Sequence, residues 1–447
     1  MEIRKAFASA GAFSFSPRPQ LRAALPSTIL SMPSPLLSFD EAFALVAQCA
    51  SRLAANGPAS ERIDLGQAAG RVLAQPICAD SDQPPFARST RDGFACRALE
   101  ASAHNFLALT GSVRAGDAPA KPLAAGSACE IMTGAPVPDG ADAVAMVEHV
   151  EVVGGRVRLL KPRKLVGGEN LVARGAQAKA GDELLPAGTS IGAAQIALAA
   201  SCGYASVEVF VRPRVAILTT GDELVPVDAA PGPGQIRNSN APMLAAMVAA
   251  AGGDPWVLPA AADNAAALDV ALTRAASADL LLISGGVSAG KFDLVEPALA
   301  RIGAQFHFTG VRIQPGKPLV FGELPRPDGP SLPFFGLPGN PISSAVTFLL
   351  FAAQVLGALS GNRASGPRFA LAQLAKTTDR KTKPGLTRFL PACCTFSSVD
   401  GQPPTVAQVP WHGSGDLGAF AQSNCFLVIP EHAAHLEEGE IVRILLP

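Results

Sequence analysis

The stretch Val215-Ala216-Ile217-Leu218-Thr219-Thr220-Gly221-Asp222-Glu223 decides the fold. Four consecutive apolar residues leave no face of a strand for water, so this strand is covered on both sides, as in a parallel sheet flanked by helices. The same grammar recurs downstream. Leu280–Ile283 runs into Ser284-Gly285-Gly286-Val287-Ser288-Ala289-Gly290, and Phe334-Phe335-Gly336 runs into Leu337-Pro338-Gly339-Asn340-Pro341. Helical spacing separates these strands over 240–252, 264–276 and 294–302, and further strands are expected at 256–258, around Phe306 and at 319–321. Residues 212–361 therefore predict an α/β unit with a mostly parallel sheet.

Outward from this centre the texture changes. Residues 86–180 are dense in Gly, Pro and β-branched residues, with turns about every ten positions, and predict a β-rich module inserted into another. The interrupted module is expected to comprise 35–85 and 181–211: a helix from Phe39 to Ala54, capped by Ser38 or Asp40, then strand-like stretches over 61–80 and 191–211. After a Gly/Arg/Ser linker, 366–447 predict a small barrel-like or sandwich-like β domain. Residues 1–34 are basic, rich in Ser and poor in acids. They read as a disordered leader, with a transit peptide or a start at Met32 as the other readings.

Composition removes several classes of function. Lys and Arg number 36 against 37 acids, so no overall charge draws the chain to nucleic acid or acidic lipid. One Tyr and two Trp are too few for a base-stacking surface. The eight cysteines form no C-x-x-C pair and stand at no zinc spacing with histidine, which suits idle thiols in a reducing cytoplasm. Ile342 to Leu359 carries no charge, yet its Ser, Thr and Gln residues and its entry through Asn340-Pro341 favour a buried core helix over a membrane span.

Unusual residues gather after the strands. Glu223 follows the first, Asp263 opens the helix after the second, and Asp293 lies just beyond Ser284-Gly285-Gly286. In open α/β sheets the carboxyl ends of the strands border the ligand crevice, so these acids are expected to share one space. Two carboxylates about 4 Å apart repel by roughly 4 kcal/mol at an effective dielectric near 20, so a cluster of three calls for a proton, a lysine or a divalent cation. Gly285, Gly286 and Gly339 expose amides suited to an oxyanion or phosphate. Lys317, held between Gly316 and Pro318, adds a positive charge. Singly, a Gly-Gly pair is a tight turn and the aspartates are helix caps. Together they predict a metal-bridged phosphate or oxyanion site.

The motifs P-P-F…D-G-F-A (84–95), I-M-T-G-A-P-V-P-D-G-A-D-A-V (131–144), T-G-D-E-L (220–224), G-Q-I-R-N-S-N (234–240), S-G-G-V-S-A-G (284–290), P-G-K-P (315–318) and L-P-G-N-P (337–341) resemble the molybdopterin molybdenumtransferase family, MoeA and the gephyrin E domain. Their order and spacing match from about residue 36 to the end. The resemblance implies a multidomain α/β plus β subunit with a central molybdopterin-binding-type domain, paired head to tail as a homodimer. It implies a cytoplasmic enzyme that inserts molybdenum into adenylylated molybdopterin using molybdate, releases AMP and is assisted by Mg²⁺. Contact with the molybdopterin adenylyltransferase follows as a further expectation.

Carried over by motif, Glu223, Asp263, Asp293 and Lys317 are the catalytic set, and the three acids are the metal ligands. Thr220, Gly285, Gly286, Ser288, Pro338, Gly339 and Asn340 bind substrate, and Asp92 and Thr133 reach the pocket from the partner subunit. The chain departs from the family at Ala87, Arg88, Thr90 and Arg91, at Ala176 and Gln177, and at Gln314, which replaces a lysine. The lost acids raise the alternative of a non-catalytic molybdopterin-binding paralogue or carrier. A third reading, a nucleotide-handling relative that shares only the central fold, is opposed by the intact flanking domains.

Overall fold

The computed structural model describes residues 36–55, 57–118, 121–286, 294–327, 329–362, 366–378, 385–396 and 401–447. Expectations for 1–34, Ser288 and Asp293 fall outside the described residues.

The first helix, Phe39–Ala55, starts where local chemistry tells it to. Ser38 Oγ accepts from the Glu41 amide at 3.2 Å, and the Glu41 carboxylate accepts from the Ser38 amide at 2.8 Å. This reciprocal capping box satisfies donors that a helix start leaves open. The helix buries Ala42, Val46, Cys49 and Ala50 against the helix Ala353–Leu359. Phe39 lies about 6 Å from the rings of Phe351 and Phe389 (6.0 and 5.8 Å), so one residue joins this helix to the central unit and the C-terminal β unit.

The central sheet has the order Asp254–Val257, Arg214–Thr219, Leu280–Ser284, Leu332–Leu337, Val320–Leu324, Gln305–Phe308. The first four strands are parallel; Val320–Leu324 runs against them, and the edge strand Gln305–Phe308 pairs antiparallel with it. Alternation along the strands feeds two cores. Val215 and Ile217 point to one face with Leu244, Val248 and the helix Pro341–Leu359, while Ala216 and Leu218 point to the other with Leu268, Leu272 and Leu299. Pro341–Leu359 is the one helix among the described residues long and apolar enough to cross a membrane, yet 83% of its apolar window is buried inside the fold. It is a core helix, as expected.

The chain leaves Arg214–Thr219 toward one neighbour, Asp254–Val257, and then crosses back to the other, Leu280–Ser284. Successive connections therefore diverge between Thr219 and Ser284. A gap outside the carboxyl ends is the geometric result.

Around this centre, Ser60–Asp64 pairs with Ser206–Phe210, and Ile77–Cys78 with Glu183–Leu185. Segments before and after the 86–180 stretch thus close on each other. Within that stretch a six-stranded sheet forms, flanked by Ala143–Met146 and Val150–Val153. One expectation needs correction: 191–211 is not continuously strand-like, because Ala193–Ser201 is a helix. Its Ala, Gln and Leu residues favour that state, and Gln195 reaches back to accept from the Gly192 amide at 3.0 Å. In the C-terminal unit, Thr387–Thr395 pairs with both Thr405–Gln408 and Cys425–Ile429. That double pairing closes a small barrel.

Phe335 is fully buried and stacks on Phe321 at a centroid separation of 4.6 Å. Replacing it by Ala removes a ring from the strand beneath the crevice and is expected to cost about 3–5 kcal/mol, read as a lower midpoint in urea unfolding.

Candidate functional site

A cavity of about 840 Å³ opens where the central strands end. Thr219, Thr220 and Gly221 form its floor on one side, and Ser284, Gly285 and Gly286 on the other. The two loops touch through backbone: the Thr220 amide donates to the Ser284 carbonyl at 3.0 Å. Gly285 has φ +98°, and a Cβ placed there would lie 2.5 Å from the Thr220 carbonyl oxygen. Only glycine fits this approach. Gly339 comes next to Gly285, within 3.6 Å of its Cα when a Cβ is imagined on Gly339. The Pro338-Gly339-Asn340-Pro341 loop then opens the long core helix, with Pro341 at the first turn and the Ser344 amide donating to the Asn340 carbonyl at 3.0 Å. Proline there gives up an amide the helix would leave free anyway.

The acids stand on the opposite wall. Glu223 and Asp263 line the cavity. The Glu223 carboxylate folds back over Gly221, where a Cβ would come within 2.5 Å of Glu223 Oε2. Asp222 accepts from the Asp263 amide at 3.0 Å and so ties the two loops together. Of the two roles open to Asp263, capping and ligand binding, the neighbouring Asn264 takes the first, accepting from the Ala267 amide at 2.9 Å. Asp263 is left free to face the cavity. Burial first, and then the negative charges of Asp222 and Glu223, push its carboxyl above the ordinary aspartate value. Among the described residues no group of three metal-ligating side chains forms, and the expected third acid, Asp293, lies outside them.

Several lining residues carried no assigned role in the sequence. Arg237 is the one cation among the described lining residues, with its Nε donating to the Ala229 carbonyl at 3.1 Å. Asn238 donates to Thr219 Oγ1 at 2.8 Å, and Asn240 donates to Ser284 Oγ at 2.9 Å and to the Gly339 carbonyl at 2.6 Å. All three belong to the G-Q-I-R-N-S-N motif, which was the available signal. Gly415 and Leu417 of the C-terminal unit complete the wall, held there by the Ile342 amide donating to the Ser414 carbonyl at 3.0 Å.

The structure does not bring every expected residue together. Lys317 is exposed and its neighbour Pro318 lines the cavity instead. The Lys317 carbonyl accepts from the Val311 amide at 3.0 Å, which fixes the turn without aiming the side chain inward. Gln314, in the place of a lysine, accepts from Arg388 Nε at 3.0 Å. Asp92 and Thr133 lie in the 86–180 sheet region and outside the cavity lining. Asp92 Oδ1 accepts from the Thr133 amide at 2.6 Å and from its hydroxyl at 2.9 Å, and these bonds hold the Asp92 carboxyl below its ordinary range.

Comparison with known proteins matches three family models: "MoeA N-terminal region (domain I and II)" over 37–203, "Probable molybdopterin binding domain" over 216–358 and "MoeA C-terminal region (domain IV)" over 373–446. A molybdopterin molybdenumtransferase from Nostoc sp. is 36% identical over 399 residues, covering 86% of this chain and 88% of its own. One from Bacillus subtilis is 33% identical, with 87% and 90% covered. The crystal structure of a molybdopterin biosynthesis protein moeA from Pyrococcus horikoshii superposes with a TM-score of 0.73 at 27% identity, covering 92% of this chain and 100% of that one.

The floor contact yields a prediction. Gly181 has φ +88° with open space around its Cβ position, so Gly181→Ala is expected to cost only the backbone term of roughly 1–2 kcal/mol. Gly285→Ala adds overlap with Thr220 and is expected to lose about 1–3 kcal/mol more, compared by urea unfolding of the two variants.

Proposed function

The chain belongs to the molybdopterin molybdenumtransferase family, and on that premise we propose that it inserts molybdenum from molybdate into adenylylated molybdopterin, releasing AMP and forming the molybdenum cofactor. Membership makes it an enzyme of molybdenum-cofactor biosynthesis acting on molybdopterin. The observation that carries the finer reading is the two-sided cavity, with Glu223 and Asp263 on one wall and the Gly286 and Gly339 backbones on the other; the Gly285 amide, expected to face the ligand, instead donates to the Leu337 carbonyl at 3.2 Å. A phosphate-bearing substrate needs both kinds of wall: amides for its oxygens and carboxylates for a counter-cation.

The acid wall fits magnesium. Asp263 is held above its ordinary pKa by burial and by two neighbouring negative charges, a repulsion that an added positive charge relieves. Glu223 and Asp263 would hold the ion, with Asp293, which lies outside the described residues, as the third acid that the family motif implies. When bound, magnesium supplies Lewis-acid stabilisation of the charge that develops as the phosphoanhydride breaks.

The protein's own groups do the rest. The N-terminal end of the Pro341–Leu359 helix favours anionic oxygens through its aligned peptide dipoles, although Pro341 has no amide and the Ile342 amide is taken by the Ser414 carbonyl. Arg237 places a guanidinium at the rim, suited to phosphate or molybdate. The rigid Thr220–Gly285 floor holds both walls at a fixed spacing, so little ordering is left to the moment of reaction. In this reading the subunits form a homodimer, and Asp92 and Thr133 complete the cavity of the partner from the 86–180 region. The cellular setting is the cytoplasm, which suits eight free thiols.

Purified chain supplied with adenylylated molybdopterin, molybdate and Mg²⁺ is expected to release AMP and yield active cofactor. Tight binding without AMP release would support the carrier reading instead. Because two complete sites form across a two-fold interface, mixing Asp92→Ala and Asp263→Ala subunits is expected to recover about a quarter of wild-type activity, although neither variant is active alone.

The acid pair also sets a pH signature. With its pKa raised, Asp263 favours the folded state while protonated and loses that contribution as pH rises through the raised value. At neutral pH, Mg²⁺ is expected to raise the melting temperature of the wild type but not of Asp263→Asn, and the wild-type effect is expected to disappear in acid.

A further inference from the structure

Two polar atoms at the cavity floor have no protein hydrogen-bond partner among the described residues: Thr220 Oγ1 and Asn240 Oδ1. Both atoms are shielded from solvent, and both residues line the cavity. Thr220 as a whole is only 5% exposed. Burying such groups unpaired is costly, so each calls for a partner that the described residues do not supply.

The Asn240 amide has a fixed orientation. Its nitrogen lies 2.6 Å from the Gly339 carbonyl, which can only accept, and 2.9 Å from Ser284 Oγ. The NH₂ group therefore faces these two oxygens, and the carbonyl oxygen is the end left over. The side chain clamps the Ser284-Gly285 and Pro338-Gly339 loops together while keeping one acceptor unused. At Thr220 the backbone amide is spent on the Ser284 carbonyl, and the hydroxyl is left over. A Cβ at position 285 would lie 3.0 Å from that hydroxyl, so the glycine keeps it open.

We infer that Thr220 Oγ1 and Asn240 Oδ1 are a ligand-reading pair, specific for a neutral group that offers an N–H or O–H donor beside an acceptor. The chemistry follows from the atoms. A hydroxyl can donate or accept, but an amide oxygen can only accept. A fully ionised oxyanion would satisfy Thr220 and leave Asn240 facing another acceptor. This corner of the cavity therefore takes a sugar hydroxyl pair or a ring lactam edge, and the phosphate oxygens belong against the Gly286 and Gly339 amides. The assignment rests on the cavity being the substrate site proposed above. That substrate carries both kinds of group, ribose hydroxyls in its adenylate half and a lactam edge in its pterin half.

Calorimetry on the full chain separates these sources, with AMP, molybdopterin lacking the adenylate, and inorganic phosphate as probes. Thr220→Val keeps the shape and removes the hydroxyl, and Asn240→Leu removes the amide. Each is expected to weaken either AMP or molybdopterin by at least roughly tenfold, and the probe affected identifies the half that is read. Phosphate affinity is expected to stay within about twofold for Thr220→Val. Since the hydroxyl makes no bond with the described residues, the melting temperature of ligand-free Thr220→Val is expected to equal or exceed that of the wild type. Unchanged binding of both organic probes, an equal loss for phosphate, or a melting temperature lower by several degrees would overturn the inference. Should the wild type bind neither organic probe, the functional reading fails by itself. The melting comparison then decides the pair.

Discussion

Everything at this site depends on one close approach of backbone to backbone. The ends of two adjacent parallel strands are joined by the Thr220 amide and the Ser284 carbonyl, and the next residue on the second strand has no room for a side chain. That constraint lets two loops from opposite sides of the sheet's switch point share a floor. It also sets how far apart the acid-bearing and glycine-bearing walls can be. A fully apolar strand such as Val215–Leu218 anchors the arrangement, since it cannot slide without exposing one of the two cores.

Charge is distributed over the cavity according to what each backbone offers. The wall built from Gly221–Glu223 and Asp263 concentrates negative charge, and burial together with the charges of Asp222 and Glu223 pushes the Asp263 carboxyl above its ordinary range. The facing wall ends in a helix start, which favours negative ligands. The C-terminal barrel does more than hang from this centre. Ile313–Gln314 pairs in parallel with Thr387–Arg388, and Gly415 and Leu417 close one side of the cavity. Movement of that barrel relative to the sheet would alter the width of the cavity.

Much of this was legible in the letters. Apolar strands, glycine pairs and the acids that follow them report directly on a parallel sheet and its crevice, and Glu223, Asp263, Gly285, Gly286 and Gly339 all line the cavity. What stayed hidden is what depends on three-dimensional aim. Lys317 in a Pro/Gly turn looked like a pocket cation, but the turn is held by its carbonyl and the side chain points to water. Arg237 and Asn240 were inside a recognised motif, yet nothing in their spacing says that a short parallel pairing of Leu224–Val225 with Ile236–Arg237 would bring them to the cavity. The helix Ala193–Ser201 buries little more than Ala199, so no strong apolar period marks it, and only its propensity and the Gly192–Gln195 contact reveal it.

The central claim is that the acid wall and the glycine wall form one site for a phosphate ester and its counter-cation. Crystals of the protein grown with Mn²⁺ and AMP test it most directly through the anomalous signal of the metal. The account predicts a manganese peak between Glu223 and Asp263, with the AMP phosphate against the Gly286 and Gly339 backbones. A manganese peak elsewhere, with AMP bound outside this cavity, would contradict it.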